Sequence, residues 1–171
     1  NISGGELSCQ KVGIEAYEGS TTNISGSPVI TGKDYNEYNP GTAIRVKSDA
    51  TVTISGTPAI SGGSFGEFYL DYGVSLNTQP ADGNAWRIYV PSSNISQNFV
   101  LVNAGDGVTL DAAKFSLMES MGAEYGAYVK DNQLLLCVHT AAEGATAICQ
   151  GLLCINCGGY FGNKDADAHD W

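Results

Sequence analysis

An all-β fold of short strands wound into a β-solenoid is what this sequence predicts, and three observations predict it. Segment 13–32, GIEAYEGSTTNISGSPVITG, returns thirty residues later as segment 43–62, AIRVKSDATVTISGTPAISG. The two copies share Ile14/Ile44, Thr21/Thr51, Ile24/Ile54, Ser25/Ser55, Gly26/Gly56, Pro28/Pro58, Ile30/Ile60 and Gly32/Gly62, eight of twenty positions, and a fixed period of this size signals stacked repeats. Apolar and polar residues alternate in Ile14-Glu15-Ala16-Tyr17, Ile44-Arg45-Val46-Lys47 and Val52-Thr53-Ile54-Ser55, the period of a half-buried strand. Composition agrees, because 22 of 171 residues are Gly and only 15% are charged, typical of all-β extracellular architectures rather than of helical cytosolic enzymes.

Two weaker copies extend the repeat. Asn1-Ile2-Ser3-Gly4 matches Asn23-Ile24-Ser25-Gly26, and FYLDYGVSL, from Phe68 to Leu76, lies on IRVKSDATV with Phe68, Leu70 and Leu76 in place of Ile44, Val46 and Val52. The period thus varies, as it does when equivalent turns carry loops of different length. Gly26, Gly32, Gly56, Gly62, Pro28 and Pro58 fall between the short strands, where the chain turns corners. Three short strands per coil are expected over 1–84. Inward Ile, Val and Leu should stack on their counterparts ~4.8 Å away.

Residues 85–138 change character and read as a β-rich cap over the end of the stack, which would otherwise expose strand edges. WRIYVP, from Trp86 to Pro91, and Phe99-Val100-Leu101-Val102 are strands in this reading. Leu110 to Met121 is expected to hold a short helix capped by Asp111. Ala127-Tyr128-Val129-Lys130 and Gln133-Leu134-Leu135-Leu136 flank Asp131-Asn132, a two-residue connection suited to a tight hairpin.

Charge and length narrow the function classes. A net charge of -10, with eight Lys and Arg scattered singly, leaves no basic stripe for a phosphate backbone or an anionic bilayer. Nucleic acid is excluded as a partner, and no run of eighteen apolar residues is present to bring this segment into a membrane. The opening residues are already repeat-like, so a piece of a longer secreted protein is expected.

ISGSPVITG, ISGTPAISG, the strand FYLDYGVSL and the irregular β region ending at LLLCVH together resemble the repeat regions of large cell-surface proteins of gut Firmicutes. The resemblance covers about residues 1–138. It implies a right-handed parallel β-helix and an adhesin-like, extracellular segment at the bacterial cell surface. Such a segment would contact a host or microbial surface glycan or protein. It carries no catalytic residue onto this chain, which is therefore expected not to be an enzyme.

The tail, 139–171, reads as a separate zinc-ribbon-like module. Cys149, Cys154 and Cys157 form C-x4-C-x2-C, His169 follows, and His139 precedes. Cys154-Ile155-Asn156-Cys157-Gly158-Gly159 has the form of a zinc knuckle, where two thiolates converge on one ion and the following Gly turns backbone N–H groups toward sulfur. Three Cys and one His would close a structural Zn2+ site. A disulfide, for instance Cys149 to Cys154, or free thiols are the competing readings. The tail also resembles the tandem Cys- and His-containing modules, with HxW endings, at the C-termini of those surface proteins. That likeness favours His169 as fourth ligand, with His139 the alternative. Cys9 and Cys137 are read as small buried hydrophobes. Asp165, Asp167 and Asp170 lack the Gly and terminal Glu of a calcium loop and are read as a solvated acidic tail.

Two other functions compete with a structural, adhesive segment. A carbohydrate-binding module would use exposed Tyr35, Tyr38, Tyr69, Tyr72, Trp86 and Tyr89 against sugar rings, and KDYNEYN, from Lys33 to Asn39, makes Tyr35 and Tyr38 the candidate contacts. A β-helix polysaccharide lyase or glycosidase would need an outer-face cluster, for which Glu15, Glu18, Arg45, Lys47, Glu67 and Asp71 are candidates. Opposite charges at stacked positions such as Glu15/Arg45 and Asp71/Lys47 are more simply cross-strand pairs.

Overall fold

The computed structural model describes residues 1–80, 84–145 and 151–162. Sixteen strands and three single turns of 3-10 helix make up the secondary structure of these residues, and there is no α-helix among them. The repeat region yields three successive three-strand units: β1 (Glu6–Gln10), β2 (Val12–Ala16) and β3 (Thr21–Ile24), then β4 (Val29–Lys33), β5 (Thr42–Val46) and β6 (Thr51–Ile54), then β7 (Ala59–Ser61), β8 (Phe68–Leu70) and β9 (Val74–Leu76). Each strand pairs in parallel with its counterpart in the next unit. Three sheets result. One is β1-β4-β7; the second runs β2-β5-β8 and continues through β10 (Trp86–Tyr89) to β12 (Phe115–Leu117). The third runs β3-β6-β9, then β11 (Val100–Ala104), β14 (Gln133–Val138) and β13 (Tyr125–Lys130).

The repeated residues meet as their alignment predicts. Ile14 faces Ile44, Ile24 faces Ile54 and Ile30 faces Ile60. Ile2 bridges Ile24 in parallel, with Ile2 N–H donating to Asn23 O at 2.8 Å, so the opening Asn-Ile-Ser-Gly is a fourth copy in space as well as in sequence. Ile24, Ile30, Ile44, Ile54, Phe68, Leu70 and Leu76 are fully buried, each contributing about 1.5–3 kcal/mol relative to exposure. One register differs from expectation. Leu76 pairs with Ile54, not with Val52, because six residues separate Leu70 from Leu76 where eight separate Val46 from Ile54. Shortening the corner by two keeps the apolar face inward, since strand faces alternate with period two.

The expected helix over Leu110–Met121 is absent. Asp111 does cap a turn, its carboxylate accepting from Ala113 N–H at 2.9 Å, but the turn ends at Lys114 and β12 follows at once. The free edge of β10 decides this, since Trp86 pairs with Phe115 and Ile88 with Leu117. Ladder hydrogen bonds and burial of Phe115 outweigh a weak local helical preference. The hairpin β13/β14 forms as predicted, antiparallel, with Asp131 and Asn132 at φ 49° and 56°. Two successive left-handed residues give the type I′ turn whose twist suits a hairpin.

One buried charge ties two units together. Glu67 accepts from Arg87 backbone N–H (2.7 Å), Arg87 Nε (3.1 Å), Arg87 Nη2 (2.8 Å) and Gly62 N–H (3.1 Å). Burial alone would push this carboxyl up, but the Arg87 side chain and the two N–H donors outweigh it and hold it below its ordinary value. A carboxylate depressed in the folded state contributes stability that is full above its unfolded pKa and is lost as pH falls through the folded one. Glu67→Gln is therefore expected to cost about 1–3 kcal/mol at neutral pH. In urea titrations the gap to the wild type should close as pH drops below about 4.

Candidate metal centre

The C-terminal cluster is assembled by two hairpins. Cys137 lies in β14 and His139 just past its end, two residues on, so in extended chain their side chains leave on the same face. Gly126 is the partner of Cys137 across the hairpin. A Cβ at Gly126 would run into the imidazole of His139, so the missing side chain makes room for that ring. His139 N–H donates to Glu124 O at 2.8 Å, and its ring stacks on Phe161 with centroids 4.9 Å apart and planes 11° from parallel. The histidine is thereby fixed from three sides.

The second hairpin pairs β15 (Leu152–Leu153) with β16 (Tyr160–Phe161) around the turn Cys154–Gly159. Cys154 N–H donates to Gly159 O and Gly158 N–H to Cys154 O, at 2.8 and 2.9 Å. Asn156 N–H and Thr140 N–H point at Cys154 Sγ, at 3.4 and 3.5 Å. A knuckle-like turn thus forms at Cys-Ile-Asn-Cys-Gly-Gly, but the N–H groups aimed at sulfur come from Asn156 and Thr140, whereas Gly158 N–H goes to a carbonyl. Ile155 N–H donates to Thr140 O (2.9 Å) and the Asn156 side chain to Val138 O (2.9 Å), which docks the knuckle on the end of β14.

Cys137, His139, Cys154 and Cys157 consequently bring their ligand atoms within 4.8 Å of one another. Cys137 Sγ lies 3.6 Å from Cys154 Sγ and 3.7 Å from His139 Nδ1, and Cys157 Sγ lies 3.7 Å from His139 Nδ1. Tetrahedral zinc, with bonds of about 2.3 Å to sulfur and 2.0–2.1 Å to nitrogen, sets its donors about 3.5–3.8 Å apart. The sulfur spacing is far above the ~2.05 Å of a disulfide, and Cys9, Cys137, Cys154 and Cys157 are all free. The cluster can hold a metal ion. No family model, curated protein or solved structure matches this chain.

Electrostatics within the cluster are divided. Burial, followed by the neighbouring sulfurs of Cys157 and Cys154, pushes the Cys137 thiol up beyond its ordinary value. Burial also opposes ionisation of Cys154, yet Thr140 N–H, the His139 side chain and the N–H groups of Cys157 and Asn156 prevail and bring that thiol down to about 6. Cys154 is thus prepared as a thiolate. Cys137 needs a cation at the centre of the cluster to release its proton.

Of the residues singled out in the sequence, Cys154, Cys157 and His139 belong to this cluster, whereas Cys149 and His169 lie outside the described residues, as do Asp165, Asp167 and Asp170. Cys137 is as buried as expected, but it is a donor in the cluster and not simply a core hydrophobe. The spacing Cys-x-His at the end of a strand was its available signal. Tyr35 and Tyr38 are 57% and 82% exposed, on the loop joining β4 to β5. Trp86 is only 7% exposed and packs edge-on against Phe68 and Phe115, which removes it from any sugar platform. Arg45 pairs with Glu15 (3.7 Å) and Asp71 (3.6 Å), and Lys47 with Glu15 (3.3 Å). Asp71 thus reaches Arg45 rather than the expected Lys47, and these candidate catalytic groups pair with one another across the strands.

Proposed function

We infer that this chain is a non-enzymatic, structural and adhesive segment of a bacterial cell-surface protein, a right-handed parallel β-helix closed by a zinc-stapled module. The observation that carries the reading is the donor set: three sulfurs and one imidazole nitrogen lie within 4.8 Å of one another, and four such donors on one tetrahedral ion would leave no position for a water or substrate. A thiolate-rich N,S set selects zinc over magnesium, calcium or manganese. So short a tail has little apolar surface of its own, and metal supplies the stability it lacks. The β-helix reading draws on three-strand units that pair in parallel from one unit to the next. Its handedness follows the rule that parallel crossovers are right-handed in about 98% of cases. Surface location is supported by low charge and high Gly content, and absence of catalysis by the mutual pairing of the outer-face charges.

Native mass spectrometry of protein purified without added metal or chelator tests the site. One zinc per chain, with no hydrogens lost from cysteine, is the expected spectrum. A metal-free mass lowered by two hydrogens per disulfide would overturn the zinc-stapled reading. Antibody labelling of intact cells, expected to be positive without permeabilisation, tests the location.

A further inference from the structure

A second site lies on the outer face of the sheet β2-β5-β8-β10. Register places Glu15, Arg45, Tyr69 and Tyr89 in one row across these four strands. Arg45 lies over the Tyr69 ring, 4.4 Å from its centroid, while Phe65 stacks on Tyr89 and meets Tyr69 edge-on. Above this row the loop between β4 and β5 folds over the sheet and leaves a pocket of about 270 Å3, lined by Lys11, Tyr38, Arg45, Phe65 and Tyr69 among others. No carboxylate lines it.

Three features set this pocket apart from an ordinary surface depression. The loop is held in place: Asp34 accepts from Gly41 N–H, Ser64 N–H and the Ser64 hydroxyl, and Asn36 Oδ1 accepts from Tyr38 N–H and the Asn39 side chain. Tyr38 is thus presented on a braced loop although 82% of it is exposed. Lys11 has φ 75°, a left-handed conformation that non-glycine residues rarely adopt and that Asn and Asp tolerate best. Among the described residues the other four non-glycine residues with positive φ are Asp49, Asn98, Asp131 and Asn132, so Lys occupies a corner whose backbone favours Asn. Its ammonium stands 5.8 Å from the centre of the Tyr35 ring and enters no ion pair among the described residues. Finally, Arg45 Nε is buried without a hydrogen-bond acceptor.

We propose that this pocket binds an acidic sugar residue, with the apolar face of the pyranose ring on Tyr38 and its carboxylate between Lys11 and Arg45. Aromatic rings suit the C–H face of a sugar. Arg45 is largely neutralised by Glu15 and Asp71, so Lys11 supplies the positive charge that distinguishes an acidic from a neutral sugar. On a chain of net charge -10, a cation kept free of carboxylates at a strained corner is where an anionic ligand can be accepted.

Isothermal titration with trigalacturonate, and with neutral galactotriose as control, tests this on the full chain, with Tm read on the same samples. Wild type should bind trigalacturonate and not galactotriose. Tyr38→Ala should weaken binding about tenfold or more with Tm unchanged. Lys11→Asn should weaken it similarly while raising Tm, because Asn fits the left-handed corner better. Failure of the wild type to bind trigalacturonate, equal binding of the two sugars, or unchanged affinity in both variants would each overturn the proposal. The pocket uses no residue of the Cys/His cluster, so zinc content and sugar binding fail independently.

Discussion

On the zinc-stapled reading, a chelator is expected to unfold the C-terminal end while the stacked sheets persist. Structural zinc contributes about 10–16 kcal/mol to the folding of isolated zinc-finger peptides. A unit this small rarely draws more than about 3–5 kcal/mol from its own core, so a net loss of even about 5 kcal/mol opens this end without heating. The physical cause lies in what remains. Without a cation, Cys137 and Cys154 are buried sulfurs facing a half-buried third, and the knuckle is docked on β14 by few backbone bonds, such as Ile155 N–H to Thr140 O. Far-UV circular dichroism should therefore change little, while limited proteolysis should cut after Val138.

The same experiment discriminates between ligand sets. Cys137→Ser and Cys157→Ser are expected to abolish zinc retention in native mass spectra, and Cys149→Ser to keep it, because Cys137, His139, Cys154 and Cys157 already supply four donors. Zinc kept by Cys137→Ser and lost from Cys149→Ser would move the metal to Cys149, Cys154, Cys157 and a histidine.

Gly32→Ala should be the most damaging small substitution in the repeat region. A Cβ at Gly32 would fall on the carbonyl of Thr42, backbone of the adjoining strand β5, and a Cβ at Gly62 would fall equally on the carbonyl of Gly66. These are the same position of the two repeats, and neither glycine has positive φ. The structure places Gly32 within the end of β4 and Gly62 just past β7, not between strands as expected, and close backbone approach rather than conformational freedom is what requires Gly there. Backbone cannot yield as a flexible side chain can, so the expected cost is about 3 kcal/mol or more, read as a lowered urea midpoint with unchanged m. Gly4→Ala is the control, since nothing lies within 4 Å of its added Cβ. It should change stability by less than about 0.5 kcal/mol.

Much of the architecture is legible in the sequence because it is carried by local patterns. Ile14 faces Ile44 and Ile30 faces Ile60 since equal spacing of apolar residues around equal corners leaves one arrangement that stacks them on the inner face. Asp131-Asn132 specifies its hairpin through the few residue types that accept two left-handed conformations. Cys154 and Cys157 announce a tight turn because both donors, and the glycines that follow them, are neighbours in the chain.

Only the tertiary structure decided the rest. Phe115 to Leu117 is a strand because β10 offers it an edge, and no property of those three residues reveals that edge. Leu76 found Ile54 instead of Val52 because a shortened corner must keep the apolar face inward. Trp86 entered the core between Phe68 and Phe115, contacts that the chain makes only once stacked. Cys137 and His139 met Cys154 and Cys157, and Lys11 met Tyr38 and Arg45, across separations that no local spacing encodes. Periodicity fixes which side of a strand faces inward, since that depends on neighbours along the chain. Which donors and charges then converge depends on loop lengths and free strand edges, and those act only when distant segments have packed.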